Sequence, residues 1–264
     1  MSNWFTLQHL GSVVIAGTDA EAFAQAQLTI DMARMEPGRW YPAAWCDPKG
    51  RALCVMFAAR RDGFVELVVP ASQTELVQAR LPMFAIGRDV ELAPGGPVCG
   101  RFDHDRADAG LAFDPDRGLR LLRNAEHATP DQIRQWQLAD LHSRIPWLSP
   151  ETSARHLPQA LGLEALDGIS YSKGCYPGQE VIARVHFLGK VKYRIATVKF
   201  ENARPVAAGA RLVDENDVNL GELLWGVSGD GESTALAVVN AKATSGLECL
   251  ARTDSSAVRG QVSL

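Results

Sequence analysis

Eight consecutive residues, Lys173-Gly174-Cys175-Tyr176-Pro177-Gly178-Gln179-Glu180, gather a thiol, an amine, a phenol, an amide and a carboxylate around two glycines. Glycine lacks a Cβ, so backbone there can approach a ligand closely or take positive φ. Proline suits the first position of a helix, where its missing N–H costs nothing. The pattern predicts a tight loop feeding a helix from Pro177 to about Val185. Such an end carries free N–H groups and a partial positive charge. Lys173 and that helix end would both favour the thiolate of Cys175. An ordinary turn around a buried thiol is the other reading, since free cysteine is often a small core residue. The density of functional groups favours the chemical one.

The elements that must carry this loop are punctuated clearly. Val13–Ala16 predicts a short buried strand, and Thr18-Asp19-Ala20-Glu21 a capping box opening a helix to about Leu28. Trp40–Cys46, Ala52–Ala59 and Phe64–Pro70 predict a three-strand meander, turning at Asp47–Gly50 and Arg61–Gly63. Ser72–Glu75 predicts a second capping box, with a helix stopped by Pro82. Arg88–Leu92, Val98–Phe102 and Leu119–Arg123 predict strands, with Asp103–Arg117 a polar surface loop between them. Thr129, Pro130 and Gln132 predict a helix to about His142, with Ile133, Trp136, Leu138 and Leu141 on its core stripe. Pro146–Pro158 reads as irregular. Beyond Gly189 the pattern changes to short strands at Tyr193–Phe200, Ala210–Val213, Leu220–Trp225, Thr234–Val239 and Glu248–Arg252. Turns such as Gly229-Asp230-Gly231 separate them, which predicts a small barrel or sandwich.

Bulk properties narrow the function classes. The chain has 264 residues, 46% hydrophobic and 22% charged, ordinary values for a globular protein. A formal net charge of −4 disfavours duplex nucleic acid as a direct partner. Arg184, His186, Lys190, Lys192 and Arg194 form a local basic run, best read as a solvated face. The cysteines are Cys46, Cys54, Cys99, Cys175 and Cys249, with no C-x-x-C pair and no metal-finger spacing. An odd, scattered set suits a reducing cytoplasm, and no metal site is expected. Residues 4–17 lack the basic start and long apolar run of a secretory signal, and no segment is long enough to span a bilayer.

The K-G-C-Y-x-G-Q-E run resembles the hallmark of the YgfZ-type folate-binding proteins, relatives of the T-protein of the glycine cleavage system, and every position is met here. Leu157-Pro158-Gln159-Ala160 and Leu166-Asp167-Gly168-Ile169-Ser170 are similar to that family's lead-in. Gln27-Leu28-Thr29-Ile30-Asp31 and Cys46-Asp47-Pro48-Lys49-Gly50-Arg51 also resemble family segments. The resemblance implies an α+β fold, a three-domain cloverleaf around a central folate pocket. Its parts would be a discontinuous folate-binding domain (1–50 and 130–188), an inserted α+β domain (51–129) and a C-terminal β-barrel (189–264). It implies a cytoplasmic accessory protein that binds tetrahydrofolate or a related reduced folate. Its partners would be iron–sulfur enzymes or their assembly factors, and through them it would support tRNA modification. Cys175 carries over as the functional thiol, bordering the folate pocket, with Lys173 beside it. Gly174, Tyr176, Gly178, Gln179 and Glu180 carry over as motif members of the folate site.

Two further residues join the candidates. Asp31 faces the pocket or serves as a helix-end turn residue. Arg184, one turn past Glu180, grips the folate glutamate tail or forms a surface ion pair. Trp40, Tyr41 and Trp45 alternate along a strand, a pattern more typical of core than of pterin stacking. His142, His156 and His186 show no triad order with Cys175.

The chain departs from the T-protein at two positions. The T-protein acid that polarises the folate amine aligns with Cys54 and Val55, and its pterin-holding glutamate aligns with Ala139, beside Asp140. A carboxylate suits the pterin because it accepts two parallel hydrogen bonds. Aminomethyl transfer by the T-protein route is therefore not expected. The alternative enzyme is another folate-dependent one-carbon transferase or demethylase, using Asp31 or Asp140 as base. A third reading is a protein–protein scaffold with a relic cavity.

Overall fold

The computed structural model describes residues 4–102, 110–201, 207–229, 231–253 and 257–264. The first part is built on one nine-stranded sheet. In chain order its strands are β1 (Phe5–Thr6), β2 (Leu10–Ala16), β3 (Trp40–Cys46), β4 (Ala52–Arg61), β5 (Phe64–Pro70), β6 (Glu91–Pro94), β7 (Val98–Phe102), β8 (Gly110–Leu111) and β9 (Asp114–Leu121). Their spatial order is β1-β7-β9-β8-β3-β4-β5-β2-β6. The meander β3-β4-β5 forms its centre, as the turn chemistry predicts.

The central strands are apolar at nearly every position because both faces are covered. Side chains alternate across a strand. Trp40, Ala44, Cys46, Val55, Phe57 and Ala59 therefore enter one core, and Ala43, Trp45, Cys54, Met56 and Ala58 enter another. The second core is closed by helix α1 (Ala20–Gln27) and helix α2 (Thr74–Arg80). The first takes helix α3 (Pro130–His142), the motif and part of the C-terminal module.

That module is a closed barrel of β10 (Tyr193–Phe200), β11 (Arg211–Val213), β12 (Asn219–Gly229), β13 (Glu232–Asn240), β14 (Glu248–Arg252) and β15 (Ala257–Ser263), in the order β10-β13-β12-β11-β14-β15. The α+β class and the C-terminal barrel are thus as expected. The sequence reading lacks β15, where glycine at the inward position 260 leaves the alternation with little apolar signal. This strand closes the barrel by pairing with both β10 and β14. Leu224, Val227, Leu236 and Val238 of the barrel enter the first core, and Trp225 Nε1 donates to the Ile145 carbonyl at 2.8 Å.

Several local expectations are corrected. The Thr18 box does not form, and Asp19 is the N-cap of α1. Thr18 instead gives its N–H (3.0 Å) and hydroxyl (2.7 Å) to the Asp89 carboxylate, a stronger charged acceptor. The Ser72 box also fails, because a 3-10 turn over Ala71–Gln73 precedes α2. The strand placed at Arg88–Leu92 runs from Glu91 to Pro94, and the one placed at Leu119–Arg123 from Asp114 to Leu121. Arg117, expected on a surface loop, is buried. Residues 103–109 of that stretch, and Asp230 of the turn expected at Gly229–Gly231, lie outside the described residues. The Thr129 capping box forms in full, with both reciprocal bonds, and α3 ends at His142.

Candidate functional site

Four sequence segments converge on the motif. Thr29 is fully buried: its hydroxyl donates to the Gly168 carbonyl (2.6 Å) and accepts from the Ala44 N–H (2.8 Å). Ser170 N–H donates to the Thr29 carbonyl at 2.8 Å. The lead-in 166–170 is thereby laid along 27–31 at the end of β3. The Asp47–Gly50 turn closes beneath the motif. Gly50 takes φ 77°, and Asp47 Oδ1 accepts from the N–H groups of Lys49 and Arg51.

Lys173 is only 9% exposed and turns inward. Its Nζ donates to the carbonyls of Leu28 (2.6 Å) and Ile30 (2.7 Å) and lies 5.0 Å from the Tyr176 ring centre. Burial lowers its pKa to about 8, with the Asp31 charge opposing. Tyr176 is buried, donates its hydroxyl to the Ser170 carbonyl (3.2 Å), and burial raises its pKa. Gln179 Nε2 donates to the Lys173 carbonyl at 3.3 Å. The motif's polar side chains thus knit the loop to the sheet. The Lys173 ammonium is committed to Leu28 and Ile30.

Helix α4 (Gln179–Leu188) follows, two residues later than the proline signal suggests. Gly178, not Pro177, sets its start: it is the N-cap at φ 77°, and a Cβ there would stand 2.4 Å from Gly50 Cα. Only glycine tolerates both the left-handed backbone and that approach. Gly174 has negative or extended backbone, and a Cβ there would meet nothing within 4 Å. Glu180 and Arg184 are exposed on α4 and form no ion pair with each other or with any other described residue.

Cys175 sits at the crest of this loop. It is exposed, whereas Cys46, Cys54, Cys99 and Cys249 are buried. Burial raises the thiol pKa of all four, that of Cys249 to about 11.

Two hollows among the described residues lie near these elements, and Cys175, expected to border the pocket, is in the lining of neither. One, of about 190 Å³, is bounded by Ile30, Asp31, Arg34, Met35, Tyr41, Asp167, Ile169 and Ser170. Asp31 serves both of its expected roles there. It lines the cleft, and it caps a 3-10 turn by accepting from Ala33 N–H (3.2 Å) and Gln25 Nε2 (3.0 Å) through Oδ1. The other, of about 210 Å³, lies where the sheet, α3 and the barrel meet. Trp147, Trp225, Leu148 and Leu224 give it apolar walls, with His9 and Gln137 as polar members. Both ring nitrogens of His9 are buried without a partner among the described residues. Burial lowers the His9 pKa, with Asp140 opposing, which favours the neutral ring. The sequence reading misses His9, Gln137, Trp147 and Trp225, since no local spacing links them.

Asp140 cannot act as a free base. It is fully buried, with one oxygen on Arg117 Nη1 (2.6 Å) and the other on Trp147 Nε1 (2.8 Å). Cys54 and Val55 are fully buried, as are Trp40 and Trp45.

No helix among the described residues is long and apolar enough to cross a membrane.

No protein-family model matches the chain. An uncharacterized protein of Haemophilus influenzae is 29% identical, over 83% of this chain and 81% of its own. The tRNA-modifying protein YgfZ of Klebsiella pneumoniae is 27% identical, over 89% of this chain and 84% of its own. The crystal structure of the glycine cleavage system aminomethyltransferase T from Bartonella henselae superposes with a TM-score of 0.68 at 14% identity, covering 99% of this chain and 84% of that one. With the complete motif at 173–180, the chain is similar to YgfZ along most of its length and shares the fold of the glycine cleavage aminomethyltransferase T.

Proposed function

We propose that this protein is a cytoplasmic accessory protein that binds a reduced folate and presents Cys175 as its functional thiol. In that role it supports the assembly or repair of iron–sulfur enzymes and, through them, tRNA modification. The observation that carries the reading is the junction hollow, with indole walls and an imidazole whose two nitrogens have no partner among the described residues. Buried polar groups are nearly always hydrogen-bonded to protein, water or ligand, so this ring is open to a polar ligand. Neutral imidazole offers one donor and one acceptor, which suits the amide-like edge of a pteridine. Flat aromatic walls suit its faces. At about 210 Å³ the hollow takes the pteridine head, leaving the glutamate tail toward solvent. A bound reduced folate would supply one-carbon carrier chemistry.

In this reading the motif holds the thiol out rather than walling the pteridine. Lys173, Tyr176, Gly178 and Gln179 fix the loop, while Gly174 leaves open space beside Cys175. Glu180 and Arg184 are then surface groups for a partner or for the folate tail. The division of the chain into 1–50 with 130–188, 51–129 and 189–264 belongs to the same proposal. One-carbon transfer is the lesser reading, because Asp140 is tied to Arg117 and Trp147.

Isothermal titration of the full chain with tetrahydrofolate tests the proposal. Binding heat is expected, with affinity reduced about tenfold or more in His9→Ala and unchanged in Cys175→Ala. Cys175→Ala should fail to restore methylthiolated tRNA in a deletion strain. No heat, or full rescue by that variant, would remove the folate half or the thiol half respectively.

A further inference from the structure

The cleft beside Asp31 is a second hollow that the folate reading does not use. It lies between the 3-10 turn Met32–Arg34 and the bend at Asp167–Ser170, with Tyr41 of β3 as a wall. Its charges are of mixed sign. Asp31 uses Oδ1 for the turn, while Oδ2 has no described hydrogen bond. Asp167 and Arg34 are exposed and form no ion pair among the described residues, with each other or with Asp31. Two carboxylates and a guanidinium therefore line one small hollow, each with unused hydrogen-bonding capacity. Ile30, Ile169 and Tyr41 supply apolar surface between them.

We propose that this cleft binds a free α-amino acid. Its ammonium group would meet Asp31 Oδ2 and Asp167, its carboxylate would meet the forked guanidinium of Arg34, and its side chain would rest on Ile30, Ile169 and Tyr41. Size favours this class. A volume of about 190 Å³ equals about six waters at ~30 Å³ each, room for a small or medium amino acid. Charge favours it too. A folate tail carries carboxylates but no ammonium, so it would leave the two acids of the cleft unanswered. The site adjoins the motif, since the Lys173 ammonium rests on the carbonyl of Ile30, next to Asp31.

The test is calorimetric titration of the full chain with free alanine, serine, valine, leucine and glutamate, alongside N-acetyl-alanine and alanine amide. At least one free amino acid should bind, and blocking either end should weaken binding about tenfold or more, or ~1.4 kcal/mol. Arg34→Gln and Asp167→Asn change exposed groups and should fold normally. They should each lose amino-acid binding while tetrahydrofolate titrates as in the parent. Absence of heat up to ~10 mM for every free amino acid, which excludes a dissociation constant near 1 mM, would overturn the proposal. So would equal binding of the blocked forms. Failure here with folate binding intact leaves the junction site standing, and the reverse outcome leaves the cleft standing.

Discussion

Gly178 and Gly50 meet so closely that a Cβ on the first would lie 2.4 Å from the Cα of the second. Both take positive φ, 77° in each case. The contact locks the start of α4 onto the turn between β3 and β4, and it sets the height at which Cys175 stands. Gly178→Ala should therefore lower stability by at least ~2 kcal/mol, read by urea denaturation. Gly174→Ala, four residues away in open space, should stay within ~0.5 kcal/mol of the parent. Equal effects at the two glycines would contradict this geometry.

Thiol accessibility gives a direct count. A chromogenic disulfide reagent should titrate one cysteine of the native protein rapidly, and five after denaturation. Cys175→Ser should abolish the native reaction without changing the melting temperature. Rapid reaction of a second thiol would mean that one of the four buried cysteines is reachable.

Lys173 should impose a particular pH dependence. Its folded pKa is lowered to about 8, below the ordinary 10.5. Between those values the unfolded chain binds more protons at this group than the native one, so its contribution to stability rises with pH. Below pH 8 both states are protonated and the cost of the buried charge is constant. Lys173→Met removes that rise between pH 8 and 10.5. It also leaves the Leu28 and Ile30 carbonyls without their donor, at a cost of about 1–3 kcal/mol at pH 7. Urea denaturation of both proteins across pH 7 to 10 reads both effects.

Asp140 is held by Arg117 and Trp147 in the interior, and removing one partner of a buried pair strands the other. Asp140→Ala should cost about 3–5 kcal/mol by chemical denaturation. A variant as stable as the parent would free Asp140 for the base role considered for the alternative enzyme.

The barrel is clipped to the rest of the chain by Glu222, which accepts from Arg155 (2.6 Å) and contacts His156 Nε2 (2.5 Å). Burial alone would raise the Glu222 pKa, but the bonds and charges of His156 and Arg155 together hold it below the ordinary carboxylate value. A depressed folded pKa contributes stability that is present above the unfolded value and lost as pH falls through the folded one. Glu222→Gln should flatten the fall in melting temperature below about pH 4.5. An unchanged acid limb would show that the clip carries no linkage.

Much of this fold is local and so legible in the sequence. The Thr129–Gln132 box, the Asp47–Gly50 turn, the β3-β4-β5 meander and the barrel strands from Tyr193 onward depend on propensities and hydrogen bonds within a few residues. The same local logic fails wherever a distant group competes. Asp89 takes Thr18 away from the α1 N-terminus, and Gly50 dictates where α4 begins. The motif itself is visible as a chemical cluster, but the inward turn of Lys173 is not. Its acceptors, Leu28 and Ile30, lie more than 140 residues away.

The chain alone determined the thiol, its glycine-flanked loop and the family likeness, because these are written in neighbouring residues. The tertiary fold decided that Cys175 stands exposed while Lys173 and Tyr176 are buried beneath it. It also joined His9, Gln137, Trp147 and Trp225 into one hollow, and Asp31, Arg34 and Asp167 into another. Burial and long-range pairing depend on how sheet, helix and barrel close on one another, and no local spacing encodes that closure.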